Sequence, residues 1–154
     1  AIYSGVTSND ANHISGPSRT GEGLVRAIQR TIGNVSLDEI AFINAHGTAT
    51  LYNDDMEAIA FQRTYLNKKQ INSYKGYIGH TLGAAGVMET ILSARALQKG
   101  IVHKSAGFEK SNLEFPLNVV TSNEIAKGRF ALKTASGFGS CNAALLLERV
   151  GGNH

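Results

Sequence analysis

Lys75 and His80 stand five positions apart, directly before a run of small residues. Gly-Ala-Ala-Gly fills positions 83–86. A neutral histidine ring at the N-terminus of a helix can donate a hydrogen bond to a developing oxyanion, and Lys75 would place a positive charge beside it. The small residues would let this helix approach another backbone or a substrate closely. A tightly packed helix with an incidental histidine accounts for the same residues equally well.

A second group of polar side chains follows an apolar stretch. Residues 44–50 read Asn-Ala-His-Gly-Thr-Ala-Thr, after a nearly continuous apolar segment. Open α/β sheets bind ligands at strand ends, where His46, Thr48 and Thr50 would offer an imidazole and two hydroxyls. Taken alone, the segment is also compatible with a histidine that hydrogen-bonds the loop backbone.

A glycine-rich segment, residues 135–143, lies near the end of the chain. Gly137 and Gly139 flank Phe138. This arrangement predicts a flexible turn whose backbone N–H groups could form an oxyanion hole and whose ring could gate a pocket. A plain hairpin is the alternative. The single cysteine, Cys141, is predicted to be a small buried packing residue and not a nucleophile.

Composition and missing motifs exclude several classes of function. The 154 residues are 42% apolar and 18% charged, which is typical of a soluble globular domain. The net charge of +3 is spread along the chain, so nucleic-acid binding is not predicted. No apolar run is long enough to span a membrane, and a single cysteine fits a reducing compartment, so we expect a cytoplasmic protein. Phosphate-loop, dinucleotide, nucleophile-elbow and zinc-protease motifs are missing, and no carboxylate or cysteine pattern completes a metal site around the histidines.

The hydrophobic pattern predicts the elements that must position these groups. Strands are predicted at 1–6, 40–45, 71–75, 129–135 and 142–150, with a weaker pattern at 117–121. Helices are predicted at 20–33, 53–66 and 81–99, and a polar loop through Asn12, Gly16 and Pro17. This order predicts an α/β domain of βαβαβαββ topology with a five-stranded mixed sheet. Apolar or small residues surround most of 81–99, so this helix is predicted to be buried.

Three motifs together resemble a known family. HGTAT at 46–50, Lys75 with GHTLGAAG at 79–86, and GFGSCNA at 137–143 resemble, in this order, the C-terminal half of the β-ketoacyl-acyl carrier protein synthases. These ketosynthases act in fatty-acid and polyketide synthesis. The likeness runs from the loop at 11–23 to the final strand. It implies a thiolase-like half and a single domain, residues 1–154, that is a fragment of a longer enzyme.

The resemblance also implies a reaction. In this family a cysteine accepts an acyl chain, a malonyl thioester loses CO2, and the resulting carbanion attacks the acyl group. By resemblance His46 and His80 are the two active-site histidines, and Lys75 is the active-site lysine.

Four further residues acquire expected roles from the family. Thr48 and Thr50 resemble the hydroxyls that bind the phosphopantetheine arm. Phe138 resembles the gating residue whose N–H helps to form the oxyanion hole, and Glu89 resembles the acid that orders the site around Lys75. Phosphopantetheine arrives on the acyl carrier protein, so no resident cofactor is expected.

The nucleophilic cysteine of the family belongs to its N-terminal half and has no counterpart here. The resemblance therefore implies an N-terminal half and acyl carrier protein as partners, a homodimer of the complete enzyme, and an inactive isolated chain. A non-catalytic partner subunit of the chain-length-factor type, or a thiolase-like binding domain, is the alternative. Ser136, Ser140 and residues 51–54 depart from the family pattern, which would fit an unusual acyl substrate or a divergent secondary-metabolite ketosynthase.

Overall fold

The computed structural model describes residues 1–11, 16, 18–111 and 113–151. The strands are β1 (Ile2–Asn9), β2 (Ile40–Asn44), β3 (Ile71–Asn72), β4 (Ile101–Val102), β5 (Glu124–Ile125), β6 (Phe130–Gly137) and β7 (Cys141–Glu148). The α-helices are α1 (Glu22–Ile32), α2 (Leu51–Arg63), α3 (Lys75–Ile78) and α4 (Ala85–Lys99), and short 3-10 turns cover Leu37–Glu39 and Leu82–Ala84. Of the polar loop predicted through Asn12, Gly16 and Pro17, only Gly16 lies within the described residues.

Five strands form the mixed sheet that the sequence predicts. Their spatial order is β1-β7-β6-β2-β3, while β4 and β5 form a separate two-stranded ribbon. The strands β1, β7 and β6 are antiparallel neighbours, and β2 runs parallel to both β6 and β3. The predicted βαβαβαββ order is therefore confirmed. The parallel register sets Lys133 and Asn72 on either side of Asn44, near the carboxyl end of β2.

Apolar side chains cover both faces of the central strands. On one face, α1 and α2 pack with Leu24, Ile28 and Phe61 against the sheet. On the other face, α4 packs with Ala96 and Leu97. The two layers explain why β2 reads as a continuous apolar run, since all five of its residues are buried.

The helix predicted at 81–99 differs from the observed one in its start and its burial. A 3-10 turn occupies Leu82–Ala84, and α4 begins only at Ala85. One face of α4 is buried, whereas Val87 and Ile91 on the opposite face are 65% and 57% exposed. The prediction of a buried helix is wrong for this chain because the sheet covers only one side of it.

Two other element ends differ because side chains capture the backbone. The third strand stops at Asn72, since the N–H of Ser73 donates to the Ser105 hydroxyl at 3.1 Å and leaves the sheet. Lys75 consequently begins α3 and does not end a strand. The predicted strand at 117–121 reduces to a single bridge between Val119 and Ile71.

Candidate active site

Glu57 holds the loop that follows β2. Its side chain on α2 is 2% exposed and accepts hydrogen bonds from the N–H of His46 at 2.8 Å and of Gly47 at 2.7 Å. The Asn53 amide and the Thr134 hydroxyl donate to the same carboxylate, each at 3.0 Å. Four donors thus fix one buried carboxylate, and through it the backbone from which the His46 ring projects.

The Lys75 ammonium connects three predicted site residues. It donates to the backbone carbonyl of His46 at 2.5 Å and to Glu89 Oε1 at 2.6 Å, and it lies 3.3 Å from His46 Nδ1. The Lys75 side chain is 8% exposed and that of Glu89 is 1% exposed, so the ion pair is shielded from water. The sequence named all three residues, and the structure brings them into direct contact.

The two histidine rings lie edge to face. Their centroids are 5.3 Å apart with an interplanar angle of 83°. His80 lies in the loop before the 3-10 turn and not in α4, and its Nδ1 accepts the N–H of Leu82, the first residue of that turn, at 3.1 Å. Because an ammonium can only donate, the contact with Lys75 likewise makes Nδ1 of His46 an acceptor. With Nδ1 accepting, the neutral form of each ring carries its proton on Nε2 and can donate from that atom.

His46 remains uncharged at neutral pH. Burial, followed by the nearby ammonium groups of Lys75 and Lys133, lowers its pKa from 6.5 to about 3. The same burial raises the pKa of Glu57, against the effect of the backbone N–H groups of Gly47 and His46. The arrangement supplies a neutral hydrogen-bond donor beside a fixed positive charge, which suits stabilisation of negative charge on an oxygen.

Thr48 and Thr50 follow His46 in the same loop. Their hydroxyls are 2.8 Å apart and lie on the exposed side of the loop. Gly47 and Ala49 both have positive φ, at 49° and 58°, so the loop turns tightly between β2 and α2. The two hydroxyls therefore belong to the same tight loop as His46.

Phe138 lies on the turn that joins β6 to β7. The side chain is 83% exposed, and among the described residues no ring contact joins it to either histidine. Gly139 and Ser140 have φ of 79° and 59°, which makes the turn tight. Cys141 is exposed and accepts a contact from the Asn9 amide at 3.4 Å, so the prediction of a buried packing residue is wrong. It opens β7 next to this exposed turn.

The small residues at 83–86 are predicted to let their helix approach another backbone or a substrate. Within the described residues, no other backbone lies close to the two glycines. A Cβ added at Gly83 or Gly86 would meet nothing within 4 Å, and only Ala85 of the four is buried.

Within the described ranges no helix is long and apolar enough to cross a membrane. Nor do the side chains described there form a group of three or more histidine, cysteine or acidic residues able to hold a metal ion.

Sequence reasoning missed Glu57 and Lys133. Lys133 lies in β6 with 3% exposure, and its ammonium is 2.5 Å from Glu89 Oε2. Two signals in the sequence could have identified them. One is the lone lysine in the apolar strand Phe-Ala-Leu-Lys, and the other is a glutamate among the apolar residues of the predicted helix 53–66. Buried charges need partners, so each pointed to a partner from another element without identifying it.

Comparison with known proteins decides the family. A family model described as β-ketoacyl synthase, C-terminal domain, matches residues 1–109. The chain belongs to this family.

Individual ketosynthase relatives agree in sequence and in fold. The 3-oxoacyl-[acyl-carrier-protein] synthase 2 of Rhizobium meliloti (strain 1021) is 36% identical over 154 residues, which cover 95% of this chain and 36% of that protein. The solved structure of the ishigamide ketosynthase/chain length factor superposes with a TM-score of 0.90 at 30% identity, covering 97% of this chain and 38% of that one. A ketosynthase in complex with its chain length factor from Xenorhabdus doucetiae gives a TM-score of 0.86 at 30% identity, with coverage of 97% and 39%.

These likenesses confirm the predicted thiolase-like ketosynthase fold. The chain spans little more than a third of the length of the relatives that it matches.

Proposed function

We propose that residues 1–154 form one domain, the C-terminal half of a β-ketoacyl-acyl carrier protein synthase. The complete enzyme would catalyse decarboxylative Claisen condensation of malonyl-acyl carrier protein with an acyl thioester. One observation carries this proposal. The Lys75 ammonium lies 3.3 Å from His46 Nδ1, and the His80 ring lies 5.3 Å from that of His46, so two imidazoles and one positive charge come together at the end of β2.

His46 and His80 would stabilise the enolate. When the bond between the malonyl Cα and its carboxylate breaks, CO2 leaves and the electron pair moves into the thioester, so negative charge develops on the carbonyl oxygen. Two imidazole donors already in place bind this charge more strongly than the neutral carbonyl of the ground state, which lowers the barrier. Neutral rings are needed at physiological pH, and the low pKa of His46 supports that role.

Lys75 and Glu89 would keep the site in this arrangement. The ammonium fixes the Nε2–H tautomer of His46 and adds a positive charge on the Nδ1 side of its ring. Glu89 holds the ammonium and compensates for its burial, since an unpaired charge in the interior would be costly.

Thr48, Thr50 and Phe138 would act on the rest of the substrate. The exposed hydroxyls beside His46 can hydrogen-bond the amide groups of a phosphopantetheine arm. The Phe138 N–H would contribute to the oxyanion hole for the acyl thioester, and its exposed ring would gate the pocket.

Condensation requires partners that carry the other reacting groups. The acyl chain would be bound as a thioester to a cysteine of an N-terminal half. The enolate carbon would attack its carbonyl carbon, and the cysteine thiolate would leave. Acyl carrier protein would deliver malonate, the complete enzyme would be a cytoplasmic homodimer, and the isolated chain would be inactive. A chain-length-factor type of subunit is the second candidate, but such a partner is expected to lose active-site histidines, and both are present here.

Reconstitution tests this proposal. The chain is mixed with the matching N-terminal half, whose cysteine carries the acyl group. Malonyl-acyl carrier protein is then added, and the release of CO2 is measured. We expect no release from the chain alone, release from the mixture, and a drop of roughly 100-fold or more for the double variant His46→Ala, His80→Ala. Lys127→Ala, at an exposed position, is the control. Release at the wild-type rate from the double variant would refute the assigned roles.

A further inference from the structure

Lys133 is a buried charge that the proposed reaction does not use. It lies in β6, between β2 and β7, and is 3% exposed. A lysine in this position loses its hydration, so its ammonium must find acceptors inside the protein. Two backbone carbonyls accept from it, that of Thr134 at 2.6 Å and that of Ala45 at 3.4 Å, and Glu89 Oε2 lies 2.5 Å away as its ion-pair partner.

Glu89 is shared between two lysines from different elements. Its Oε1 accepts from Lys75 of α3 at 2.6 Å, and its Oε2 lies 2.5 Å from the ammonium of Lys133. A carboxylate bound through one oxygen alone can rotate about its terminal bond. A hydrogen bond from Lys75 on one oxygen and an ion pair with Lys133 on the other restrict the orientation of the carboxylate plane, and therefore the direction in which Oε1 meets Lys75.

The sheet fixes the position of Lys133 itself. The parallel register of β2 and β6 pairs Lys133 with Asn44, and Asn44 is two residues before His46 in the chain. The charged and titratable groups around this ammonium are Glu89 of α4, Lys75 of α3, Glu57 of α2 and His46 after β2. Burial lowers the pKa of Lys133, and the Glu89 carboxylate opposes this effect.

We propose that Lys133 is a positioning residue that orients Glu89 and, through it, sets Lys75 against His46. The series Lys133, Glu89, Lys75 and His46 links β6, α4, α3 and the loop after β2 by contacts of 2.5, 2.6 and 3.3 Å. The geometric statement stands on these contacts alone. Its consequence for catalysis rests on the proposed function above.

The test reads the His46 tautomer and needs no enzymatic activity. In the chain labelled with ¹⁵N-histidine, the chemical shifts of Nδ1 and Nε2 at neutral pH report which nitrogen carries the proton. The wild-type chain should show the Nε2–H form. Lys133→Met removes the ammonium at similar side-chain length, so Glu89 reorients, Lys75 loses its fixed position, and a mixture of tautomers should appear. Glu89→Gln should give a similar mixture, and the two changes together should add little to either alone.

Control variants separate this role from general stability. Lys127→Met, at an exposed site, should leave the spectrum unchanged. Lys133→Gln keeps a donor but lacks the charge, and a smaller displacement towards the mixture is expected. If Lys133→Met fails to fold, its spectrum is recorded in trimethylamine N-oxide, which favours compact states of any variant. Wild-type tautomers in folded Lys133→Met would overturn the proposal. If Lys133→Met still does not fold and Lys133→Gln gives the wild-type spectrum, Lys133 has only a structural role and the proposal is likewise overturned.

The reconstituted reaction distinguishes this inference from the proposed function. If both hold, Lys133→Met should lower CO2 release roughly 10- to 100-fold, because small displacements of catalytic groups have effects of this size. A changed tautomer with unchanged CO2 release would support the positioning role and refute the reaction assigned to His46. Loss of CO2 release in the histidine double variant, with no tautomer change in Lys133→Met, would leave the reaction standing and overturn the role of Lys133.

Discussion

Glu57 shows how a residue outside the chemistry can determine the site. Its carboxylate accepts from the N–H of His46, the N–H of Gly47, the Asn53 amide and the Thr134 hydroxyl, and it is almost fully buried. Each carboxylate oxygen is needed as an acceptor. Any replacement that turns one of them into a donor therefore places two donors face to face.

Glu57→Gln should destabilise the domain for that reason. The new amide N–H2 would oppose the backbone N–H of either His46 or Gly47, at a cost of about 2 to 3 kcal/mol in the free energy of unfolding. Urea denaturation at pH 7 measures the change. Glu109→Gln, at an exposed position, is the matched control and should change stability by less than about 0.5 kcal/mol. Equal effects of the two substitutions would contradict the anchoring role of Glu57.

The titration of His46 should appear in the pH dependence of stability. Its pKa falls from 6.5 to about 3 on folding, mainly through burial. Between these values the unfolded chain binds a proton that the folded chain does not, so stability is retained above pH 6.5 and lost as the pH falls towards 3. From pH 7 to pH 5, His46 should therefore cost the wild type about 2 kcal/mol.

His46→Gln isolates this contribution. The variant lacks the titrating ring, so its stability should fall less than that of the wild type between pH 7 and pH 5, by the same amount of about 2 kcal/mol. Urea unfolding at both pH values measures the difference. Other groups, including Glu57 with its raised pKa, contribute to both proteins and cancel. Parallel stability profiles would show that His46 keeps an ordinary pKa in the folded chain.

At the scale of elements, the sequence predicts the main strands and helices well and their ends less well. Apolar periodicity is local, so α1 and β2 lie within one or two residues of their predicted bounds. Ends depend on tertiary partners. The Thr64 hydroxyl bonds back to the Ala60 carbonyl, and Tyr65 takes a positive φ of 60°, so α2 stops at Arg63. The motifs identified His46, Lys75 and Glu89, but the partners Glu57 and Lys133 follow from the sheet register and helix packing, which the sequence does not specify locally.

The start of α1 depends on a close contact at Gly23. The Gly23 N–H donates to Asp10 Oδ1 at 2.7 Å, and the Asn142 amide donates to Asp10 Oδ2 at 2.8 Å. This carboxylate ties the end of β1 to the N-terminus of α1 and to the start of β7. A Cβ at Gly23 would lie 2.4 Å from Asp10 Oδ1, so even alanine cannot be added without displacing the carboxylate.

Gly23→Ala and Gly86→Ala form a matched pair. At Gly23 the added methyl should cost about 1 to 3 kcal/mol through overpacking and disturbance of the Asp10 contacts. At Gly86, in the exposed part of α4, nothing lies within 4 Å, so alanine should stabilise the domain by about 0.4 to 1 kcal/mol. Thermal and urea unfolding measure both changes. Stabilisation by both substitutions would show that the Asp10 contact is not a constraint.

At the scale of the whole molecule, α4 has a face that the chain itself leaves uncovered. Val87, Met88 and Ile91 are 65%, 40% and 57% exposed. Val87 and Ile91 lie one helical turn apart on the side opposite the sheet, and Met88 flanks them. The sequence pattern of a buried helix and the one-sided burial of α4 agree if the proposed N-terminal half covers this face. Relatives almost three times as long as the chain have the additional residues for such a layer.

Charged residues on this face of α4 should weaken assembly without unfolding the chain. Val87→Glu and Ile91→Glu replace exposed side chains, so the stability of the isolated chain should change by less than about 0.5 kcal/mol for each. If the proposed N-terminal half covers this face, each substitution removes an apolar contact with it and places a carboxylate there. The dissociation constant, measured by titration calorimetry, should therefore rise roughly tenfold or more for each. Tyr52→Glu, at a 77% exposed position of α2 on the other side of the sheet, is the control and should bind as the wild type does. Unchanged affinity of the α4 variants would mean that the N-terminal half packs elsewhere, and the burial pattern of this helix would then need another explanation.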